Sequence, residues 1–286
     1  MATDMIRRVG VIGAGTMGNG IAQVCATAGL QVTMVDVADA ALQRGLAAMG
    51  SSLERQVKKG TLSDADRQAA LGRVSTSTSY DALREADLVI EAATENQELK
   101  LRILSQVESV VGEQAVIATN TSSISITLLA AVLKRPARFI GLHFFNPVAM
   151  MPLVELIRGL QTADDTHARA LAFAQAIGKT PVDVRNSPGF VVNRILVPMI
   201  NEAIFVLQEG LATATDIDAA MKLGSNQPIG PLALADLVGL DVVLAVMRVL
   251  HEGFGDPKYR PAPLLVEMVD AGRLGRKSGQ GFHAYG

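Results

Sequence analysis

The sequence predicts an α/β protein with a mostly parallel sheet, a helical hairpin inserted into the sheet domain, and an all-helical C-terminal domain. Three observations support this fold class. Short apolar runs alternate with helical patterns from residue 8 to residue 185. One connection of about 35 residues in that region contains no strand-like run. After residue 185, all of the patterns are helical.

Eight apolar runs are expected to form the strands, because each is short and is separated from the next by a turn-rich or amphipathic stretch. In chain order they are RVGVIG, QVTMVD, RVSTSTS, DLVIEA, AVIATN, FIGLHFF, LVELI and PVDVR. Their alternation with helical patterns favours parallel neighbours that are joined by helices.

The connection after QVTMVD is rich in Ala, Leu, Gln, Arg and Lys. It predicts a helical hairpin at about 38–72. The first helix should end in SSLERQVKKG, where Gly60 closes it and where Arg55, Lys58 and Lys59 cluster in an otherwise neutral chain. Such cations can serve an anionic ligand, or they can simply complement the helix dipole.

The break at Ser187-Pro188-Gly189 predicts a domain boundary, with domains at 1–187 and 188–286. The following run, FVVNRILVPMINEAIFVLQEG, has polar residues every seven positions among mostly apolar ones. A helix of this kind is buried on several sides. We therefore expect packed helices that also form a subunit interface, in a homodimer.

The composition excludes several functions. The 26 basic and 28 acidic residues give a net charge of -2, so neither nucleic acid nor an anionic membrane is expected as a partner. The most apolar stretch contains Asp236 and Asp241 and makes a poor membrane span. The single cysteine, Cys25, excludes an internal disulfide and a cysteine-rich metal site, and no metal is predicted. Because the first strand begins within ten residues, we expect no targeting segment and a cytoplasmic protein.

A glycine-rich turn follows the first strand-like run. VGVIGAGTMGNGIAQ places Gly13, Gly15 and Gly18 in GxGxxG spacing between a strand and a helix. These glycines permit a tight turn, close approach of a pyrophosphate, and packing of the helix on the strand. The motif predicts a Rossmann-type dinucleotide site, and a glycine-rich turn without a ligand is the alternative.

Asp36 ends the next strand-like run, 23 positions after Gly13. A carboxylate there can accept hydrogen bonds from the adenosine ribose hydroxyls and would repel a 2′-phosphate. The sequence therefore predicts NAD rather than NADP as the cofactor.

His143 and Glu155 interrupt the apolar stretch GLHFFNPVAMMPLVELI. His143 should lie at the end of a strand, at the sheet edge where ligands bind in such folds. If the next run is a neighbouring strand, the Glu155 carboxylate can hold one imidazole nitrogen and leave the other for a substrate. The alternatives are a core histidine bonded to the backbone and a glutamate that points to solvent.

Seven segments together resemble the L-3-hydroxyacyl-CoA dehydrogenase family, particularly its bacterial 3-hydroxybutyryl-CoA members. They span nearly the whole chain in family order, and they are GAGTMG with Asp36, ATENQELKLRIL, NTSSISI, GLHFFNPVAMMPLVELI, NSPGFVVNRILVPMINEA, GPLALADLVGLD and RKSGQGFHAYG. The resemblance implies an NAD-dependent oxidoreductase that interconverts (S)-3-hydroxyacyl-CoA, such as 3-hydroxybutyryl-CoA, and 3-oxoacyl-CoA. It also implies a substrate-binding role for the helical domain.

The resemblance further implies residue roles. His143 is the expected base and Glu155 its partner, while Ser122 and Asn193 are expected to hydrogen-bond the reacting oxygens. For Ser122, a helix N-cap before ISITLLAAVL is the alternative. The expected substrate contacts are Ser52, Lys58, Lys59, Ser122 and Asn193. The expected cofactor contacts are Gly13, Gly15, Thr16, Met17, Gly18, Asp36, Glu95, Lys100, Asn120, Ser122, Asn146 and Lys277.

Two rival functions share the predicted fold. Related hydroxy-acid or sugar-acid dehydrogenases have the glycine turn and a helical second domain, but many use a lysine in place of a His-Glu pair and need no CoA. A dinucleotide-binding protein without turnover is the second rival. The presence of His143, Glu155, Ser122 and Asn193 together argues against it.

Overall fold

The structure, a computed structural model, describes residues 5–286. The chain divides into two compact units, Met1–Asn186 and Ser187–Gly286. The first unit carries all of the named strands and the second is helical. The predicted fold class is confirmed.

The first unit is built on one eight-stranded sheet in the order β3-β2-β1-β4-β5-β6-β7-β8. All pairs are parallel except β6 with β7. Each of the eight apolar runs supplies one strand. Their bounds are β1 Arg8–Ile12, β2 Gln31–Val35, β3 Val74–Ser77, β4 Leu88–Glu91, β5 Val116–Thr119, β6 Phe139–Phe144, β7 Leu153–Arg158 and β8 Thr180–Arg185.

Six α-helices in residues 5–186 accompany the sheet. They are α1 Thr16–Thr27, α2 Asp39–Lys58, α3 Asp64–Gly72, α4 Gln97–Val110, α5 Ile126–Ala130 and α6 Asp164–Ala176. The second and third form the inserted hairpin. Leu42, Met49 and Leu53 form the buried stripe of α2, and Ser63 caps α3 by accepting a hydrogen bond from the Asp66 N–H.

The central strands are apolar because both faces of a parallel sheet are covered. Every residue of β4, β5 and β6 is buried. Cys25 lies in the same core with no exposed surface, as its apolar sequence context predicts. Burial raises the pKa of its thiol to about 12, and the charge of Lys179 offsets only part of that effect.

Polar residues of the first unit gather where strands end. Asn120 follows β5, its N–H donates to the Glu91 carbonyl at 2.7 Å, and its Oδ1 accepts the Phe144 N–H at 2.9 Å. The amide therefore ties together the carboxyl ends of β4, β5 and β6. In parallel sheets with this order, ligands bind outside those strand ends.

The second unit contains α7 Val192–Gln208, α8 Ala214–Gly224, α9 Pro231–Val238, α10 Leu240–Phe254 and α11 Pro263–Asp270. The polar positions of α7 have partners within this unit. The buried Asn201 donates to the Arg260 carbonyl and accepts the Ala262 N–H, and Gln208 accepts the Leu264 N–H. They satisfy backbone groups around the start of α11.

The C-terminal segment of the chain is held by two buried carboxylates. Asp236 accepts hydrogen bonds from the Phe282 and His283 N–H groups, both at 2.9 Å, and from the Tyr285 hydroxyl. Asp218 accepts one from His283 Nε2 at 2.8 Å. No helix among residues 5–286 combines the length and apolar character needed to cross a bilayer.

Candidate active site

The glycine turn leads from β1 into the first turn of α1. Gly13 has φ +98°, and a Cβ there would overlap the backbone of Ala92 and Ala93. A Cβ at Gly18 would overlap the Gly13 carbonyl. Both positions therefore require glycine, because neither has room for a Cβ and Gly13 also has a positive φ.

The N-terminus of α1 is suited to an anion. Gly15 is the N-cap residue, and no side chain caps the helix. A Cβ at Gly15 would meet nothing within 4 Å, so the backbone there is open to a ligand. Thr16 is exposed and Met17 half-buried beside it. Uncapped N–H groups and the helix dipole favour a phosphate at this position.

Asp36 lies directly beyond β2 and borders the glycine turn. Its Oδ2 accepts the Ala14 N–H at 2.8 Å, and its Oδ1 accepts the Ala38 N–H at 3.4 Å. The carboxylate thus orders the turn. It is only half-buried, so it can also receive a ribose hydroxyl.

His143 and Glu155 are cross-strand partners in the antiparallel pair of β6 and β7. His143 Nδ1 lies 2.7 Å from Glu155 Oε2. Directly opposed residues on antiparallel strands point to the same face of the sheet, so the register itself creates this contact. Their exposed fractions are 6% and 1%. The alternative of a glutamate that points to solvent is therefore wrong.

The loop after β5 carries Ser122 and is anchored by Glu95. Glu95 Oε1 accepts hydrogen bonds from the Thr121 hydroxyl at 2.8 Å, the Ser122 N–H at 2.8 Å and the Ser122 hydroxyl at 2.9 Å. Ser125, rather than Ser122, is the N-cap of α5. The N-cap alternative for Ser122 is therefore wrong.

Two further polar residues, which the sequence analysis does not predict, lie at the same strand-end edge of the sheet. Glu91 ends β4 and Thr119 ends β5, and they are register partners with no exposed surface. Thr119 Oγ1 donates to Glu91 Oε2 at 2.7 Å, and Lys100 Nζ lies 2.5 Å from the same oxygen. Glu91 could have been identified from the sequence, because it is a charged residue at the end of an otherwise apolar strand.

Asn146 and Lys277 were predicted beside the cofactor on the basis of the resemblance. Asn146 is exposed, lies in the loop after β6 and forms a cis peptide bond with Pro147. Lys277 belongs to the second unit, where its Nζ lies 2.5 Å from Asp241 Oδ1. Burial alone would raise the pKa of Asp241, but the hydrogen bond and charge of Lys277 together hold it below its ordinary value.

The cations at the end of α2 are not equivalent. Lys58 Nζ lies 2.7 Å from Glu54 Oε1, one helical turn away. That hydrogen bond and the charge of Lys58 lower the pKa of Glu54. Arg55 and Lys59 are exposed and form no ion pair with any of residues 5–286. Ser52 precedes them on the same face, in the spacing i, i+3 and i+7. The pattern therefore favours these two cations over Lys58 as anion contacts.

Asn193 lies in the first turn of α7 in the second unit. It is half-buried, and its side chain or backbone takes part in at least one polar or other interaction. Its predicted role toward a substrate stays a prediction.

The first unit fits a bound dinucleotide. An open, uncapped helix N-terminus follows the glycine turn, a carboxylate ends β2, and the strand order reverses between β1 and β4 beside that turn. The fold and this site define the class of Rossmann-type dinucleotide-binding proteins.

Comparison with known proteins identifies the family within this class. The family model described as the NAD-binding domain of 3-hydroxyacyl-CoA dehydrogenase matches residues 8–187, and the C-terminal domain model of that family matches residues 189–285. The chain belongs to the 3-hydroxyacyl-CoA dehydrogenase family. It is therefore an oxidoreductase with NAD as cofactor, and both predictions are confirmed.

Individual relatives agree over nearly their whole lengths. A Bradyrhizobium diazoefficiens protein named 3-hydroxybutyryl-CoA dehydrogenase is 51% identical over 281 residues, which are 98% of this chain and 96% of that one. A probable 3-hydroxybutyryl-CoA dehydrogenase of Bacillus subtilis is 48% identical, with 98% of each chain covered. The crystal structure of (S)-3-hydroxybutyryl-CoA dehydrogenase from Ralstonia eutropha is 63% identical, with a TM-score of 0.96 over 98% of this chain and 99% of that one.

Proposed function

We propose that this protein interconverts (S)-3-hydroxybutyryl-CoA and acetoacetyl-CoA with NAD as the hydride carrier. The names of its relatives support the substrate class. The observation that carries the proposed mechanism is the buried contact between His143 and Glu155, 2.7 Å between Nδ1 and Oε2, at the strand-end edge of a dinucleotide-binding sheet.

His143 acts as the acid/base in this proposal. Glu155 holds Nδ1, so Nδ1 carries a proton and Nε2 is the nitrogen that exchanges one with the substrate. In the oxidation direction, Nε2 takes the hydroxyl proton from the substrate alcohol. In the reduction direction, the imidazolium returns a proton to the ketone oxygen. The tautomer follows from the position of the carboxylate rather than from observed hydrogens.

Glu155 has two effects on the imidazole. It fixes the ring orientation, because the hydrogen bond joins two adjacent, ordered strands. Its negative charge also stabilises the imidazolium that forms while His143 holds the substrate proton. Burial of the carboxylate strengthens that attraction relative to water.

NAD, when bound, would accept the hydride from the carbon that bears the hydroxyl, while His143 takes the hydroxyl proton. Gly15 leaves room for the pyrophosphate, Gly13 and Gly18 shape the turn that positions it, and Asp36 receives the adenosine ribose. Ser122 and Asn193 are proposed to hydrogen-bond the reacting oxygen, a role that rests on the family resemblance. Both side chains can accept or donate a hydrogen bond.

The inserted hairpin is proposed to hold the coenzyme A part of the substrate. Its 3′-phosphate and pyrophosphate need cations, which the nearly neutral chain must supply locally. Arg55 and Lys59, at the end of α2, can supply this charge, and Ser52 on the same face can add a hydrogen bond. Lys58 is a weaker candidate than the sequence suggested, because Glu54 already neutralises it.

The helical unit is proposed to form a homodimer through apolar side chains that it exposes. Ile195, Leu211, Leu223 and Leu237 are 67%, 77%, 86% and 52% exposed. Exposed apolar side chains mark an interaction surface where they form one contiguous patch. Sedimentation equilibrium should give twice the chain mass of 30.1 kDa, and a monomer would contradict the proposal. A cytoplasmic location stays a prediction.

The experiment that tests this function follows NADH loss at about 340 nm, the nicotinamide absorbance band, with acetoacetyl-CoA as substrate. Free acetoacetate and NADPH are the controls. Rapid oxidation that needs both the CoA group and NADH is expected. Equal rates with free acetoacetate would favour a hydroxy-acid dehydrogenase, and NADH binding without turnover on either substrate would favour a non-catalytic protein.

A further inference from the structure

The β6–β7 turn, residues 145–152, joins the two strands that carry His143 and Glu155. The pairing between these strands stops where the turn begins, so the sheet does not fix the turn itself. Within the turn, the Pro147 carbonyl accepts the N–H groups three and four residues later. Further support for the turn comes from residues outside it.

Lys179 supplies this support from the segment between α6 and β8. It is 9% exposed, and its ammonium donates to the carbonyls of Val148 and Met151, the latter at 2.8 Å. Among residues 5–286, no other side chain hydrogen-bonds the backbone of the β6–β7 turn. One cation therefore ties two points of the turn to the start of β8.

The burial of Lys179 is unfavourable in itself. Its two acceptors are carbonyl oxygens rather than carboxylates. Burial lowers the pKa of the ammonium, because desolvation disfavours the charged form. An apolar side chain of similar volume would fill the same space without this desolvation. The lysine therefore indicates that holding the turn in place matters to the protein.

The first helix, α1, contacts the same turn. Val148 is 3% exposed, and a Cβ at Gly20 would lie 2.9 Å from its Cβ and Cγ2. Glycine at position 20 therefore lets the turn approach the helix closely. The cation and the helix thus both hold the turn at Val148.

Phe145, at the start of the turn, packs on the imidazole of His143. The ring centroids are 4.4 Å apart and the ring planes are inclined by 49°. The two residues are two positions apart, which is the spacing that places side chains of an extended chain on one face. The aromatic ring restricts rotation of the imidazole, and its negative face can attract the imidazolium.

We propose that Lys179 is a positioning residue, which holds the β6–β7 turn so that Phe145 stays against the imidazole of His143. This inference rests on the proposed function, because His143 is the proposed acid/base. The effect passes from the ammonium to the two carbonyls, through the turn to the aromatic ring, and from that ring to the imidazole.

The kinetic test compares four single variants. Lys179→Met removes the ammonium and keeps an apolar side chain of similar length. Gly20→Ala displaces the turn from a different element, and Phe145→Leu removes the aromatic ring. Val107→Ala makes a cavity in α4 and is the control for lost stability. We would measure kcat, KM for acetoacetyl-CoA, NADH affinity and Tm, and also study the double variant Lys179→Met/Phe145→Leu.

Lys179→Met should lower kcat about tenfold or more at a temperature well below its Tm, with KM and NADH affinity changed less than about threefold. Gly20→Ala should give a loss of the same kind, and it decides the matter if Lys179→Met does not fold. Val107→Ala should lower Tm and keep kcat.

The double variant should be no more than about twofold slower than the slower of its two single variants, because both changes act on one path. Normal kcat in Lys179→Met and Gly20→Ala would make the contacts purely structural. A roughly tenfold weaker NADH affinity with kcat retained would show that the turn serves the cofactor instead. Either result would overturn the proposal.

A readout independent of turnover separates this inference from the proposed reaction. The ring current of Phe145 should displace the imidazole proton resonances of His143, one of four histidines in the chain. NMR of protein with labelled histidine measures them, and His143→Asn assigns them. Lys179→Met should move these resonances toward their positions in Phe145→Leu.

Unchanged resonances in Lys179→Met would overturn the positioning role. If the unaltered protein does not reduce acetoacetyl-CoA while the resonances move as expected, the proposed reaction fails and the link from Lys179 to His143 stands.

Discussion

His143 and Glu155 face each other across the only antiparallel strand pair among the eight described strands, with Nδ1 2.7 Å from Oε2 and both side chains almost fully buried. Direct opposition in an antiparallel register gives the pair a fixed separation that depends on backbone hydrogen bonds rather than on a flexible loop. The arrangement suits a proton-transfer group whose orientation must be reproducible.

Glu155→Gln should lower kcat by roughly a hundredfold to ten-thousandfold, because a neutral amide cannot stabilise the imidazolium and can favour the wrong tautomer. NADH binding should stay within about threefold, since Glu155 is not among the proposed dinucleotide contacts. Asp183→Asn is the matched control, because Asp183 Oδ1 contacts His167 Nε2 at 2.6 Å in a second, exposed pair. Equal losses in the two variants would count against a special role for Glu155.

Asp36→Asn should shift the preference between NADH and NADPH by about tenfold or more toward NADPH, because it removes the charge that repels a 2′-phosphate. The amide oxygen can still accept the Ala14 N–H and keep the glycine turn ordered. Asp39→Asn removes an exposed charge at the start of α2 and is the control. The cofactor preference is measured as the ratio of kcat/KM for NADH to kcat/KM for NADPH. An unchanged ratio would contradict the assignment of Asp36.

Arg55→Ala and Lys59→Ala should each raise KM for acetoacetyl-CoA roughly twofold to fivefold, with kcat almost unchanged, because exposed ion pairs contribute little and act before the chemical step. Neither variant should change KM for acetoacetyl-pantetheine, which lacks the nucleotide phosphates. Arg84→Ala, which removes an exposed arginine near Asp81, is the charge control. Equal effects on both substrates would mean that these side chains do not bind the phosphates.

Cys25 should not react with thiol reagents at pH 8 in the folded protein and should react after unfolding. Because burial raises its pKa to about 12, the folded state keeps the thiol protonated at a pH where the unfolded state loses the proton. Stability from this residue is thus present below about pH 8.5 and is lost as pH rises toward 12. The free energy of unfolding in urea should fall on the order of 2 kcal/mol more from pH 8 to pH 10 than in Cys25→Ala. Parallel pH dependences would contradict this.

Much of the fold could be predicted from local pattern. All eight strands follow apolar runs, and the inserted hairpin follows a long amphipathic stretch, because periodicity depends on which face is buried. The antiparallel pairing of β6 and β7 could also have been predicted from the sequence. The connection at 145–152 is too short for the crossover that parallel strands need.

The residues of the site likewise fall into those that the sequence can predict and those that it cannot. The glycine turn and Asp36 are recognisable because backbone conformation and spacing restrict them, and His143 and Glu155 stood out as ionisable residues in an apolar run. The burial of Lys100 could not be predicted, because a lysine in the first turn of a helix has the pattern of an exposed residue. Its partners Glu91 and Thr119 are distant in sequence and meet only through the register of β4 and β5.

His143 is proposed to transfer the proton in an NADH-dependent reduction of acetoacetyl-CoA. His143→Asn tests it most directly, because the asparagine amide can still donate to Glu155 and spare the core an unpaired carboxylate. Single-turnover NADH oxidation should be at least about a hundredfold slower in this variant, with NADH affinity within about threefold of the unaltered protein. An unchanged single-turnover rate, or a parallel loss of NADH binding and folding, would contradict the account.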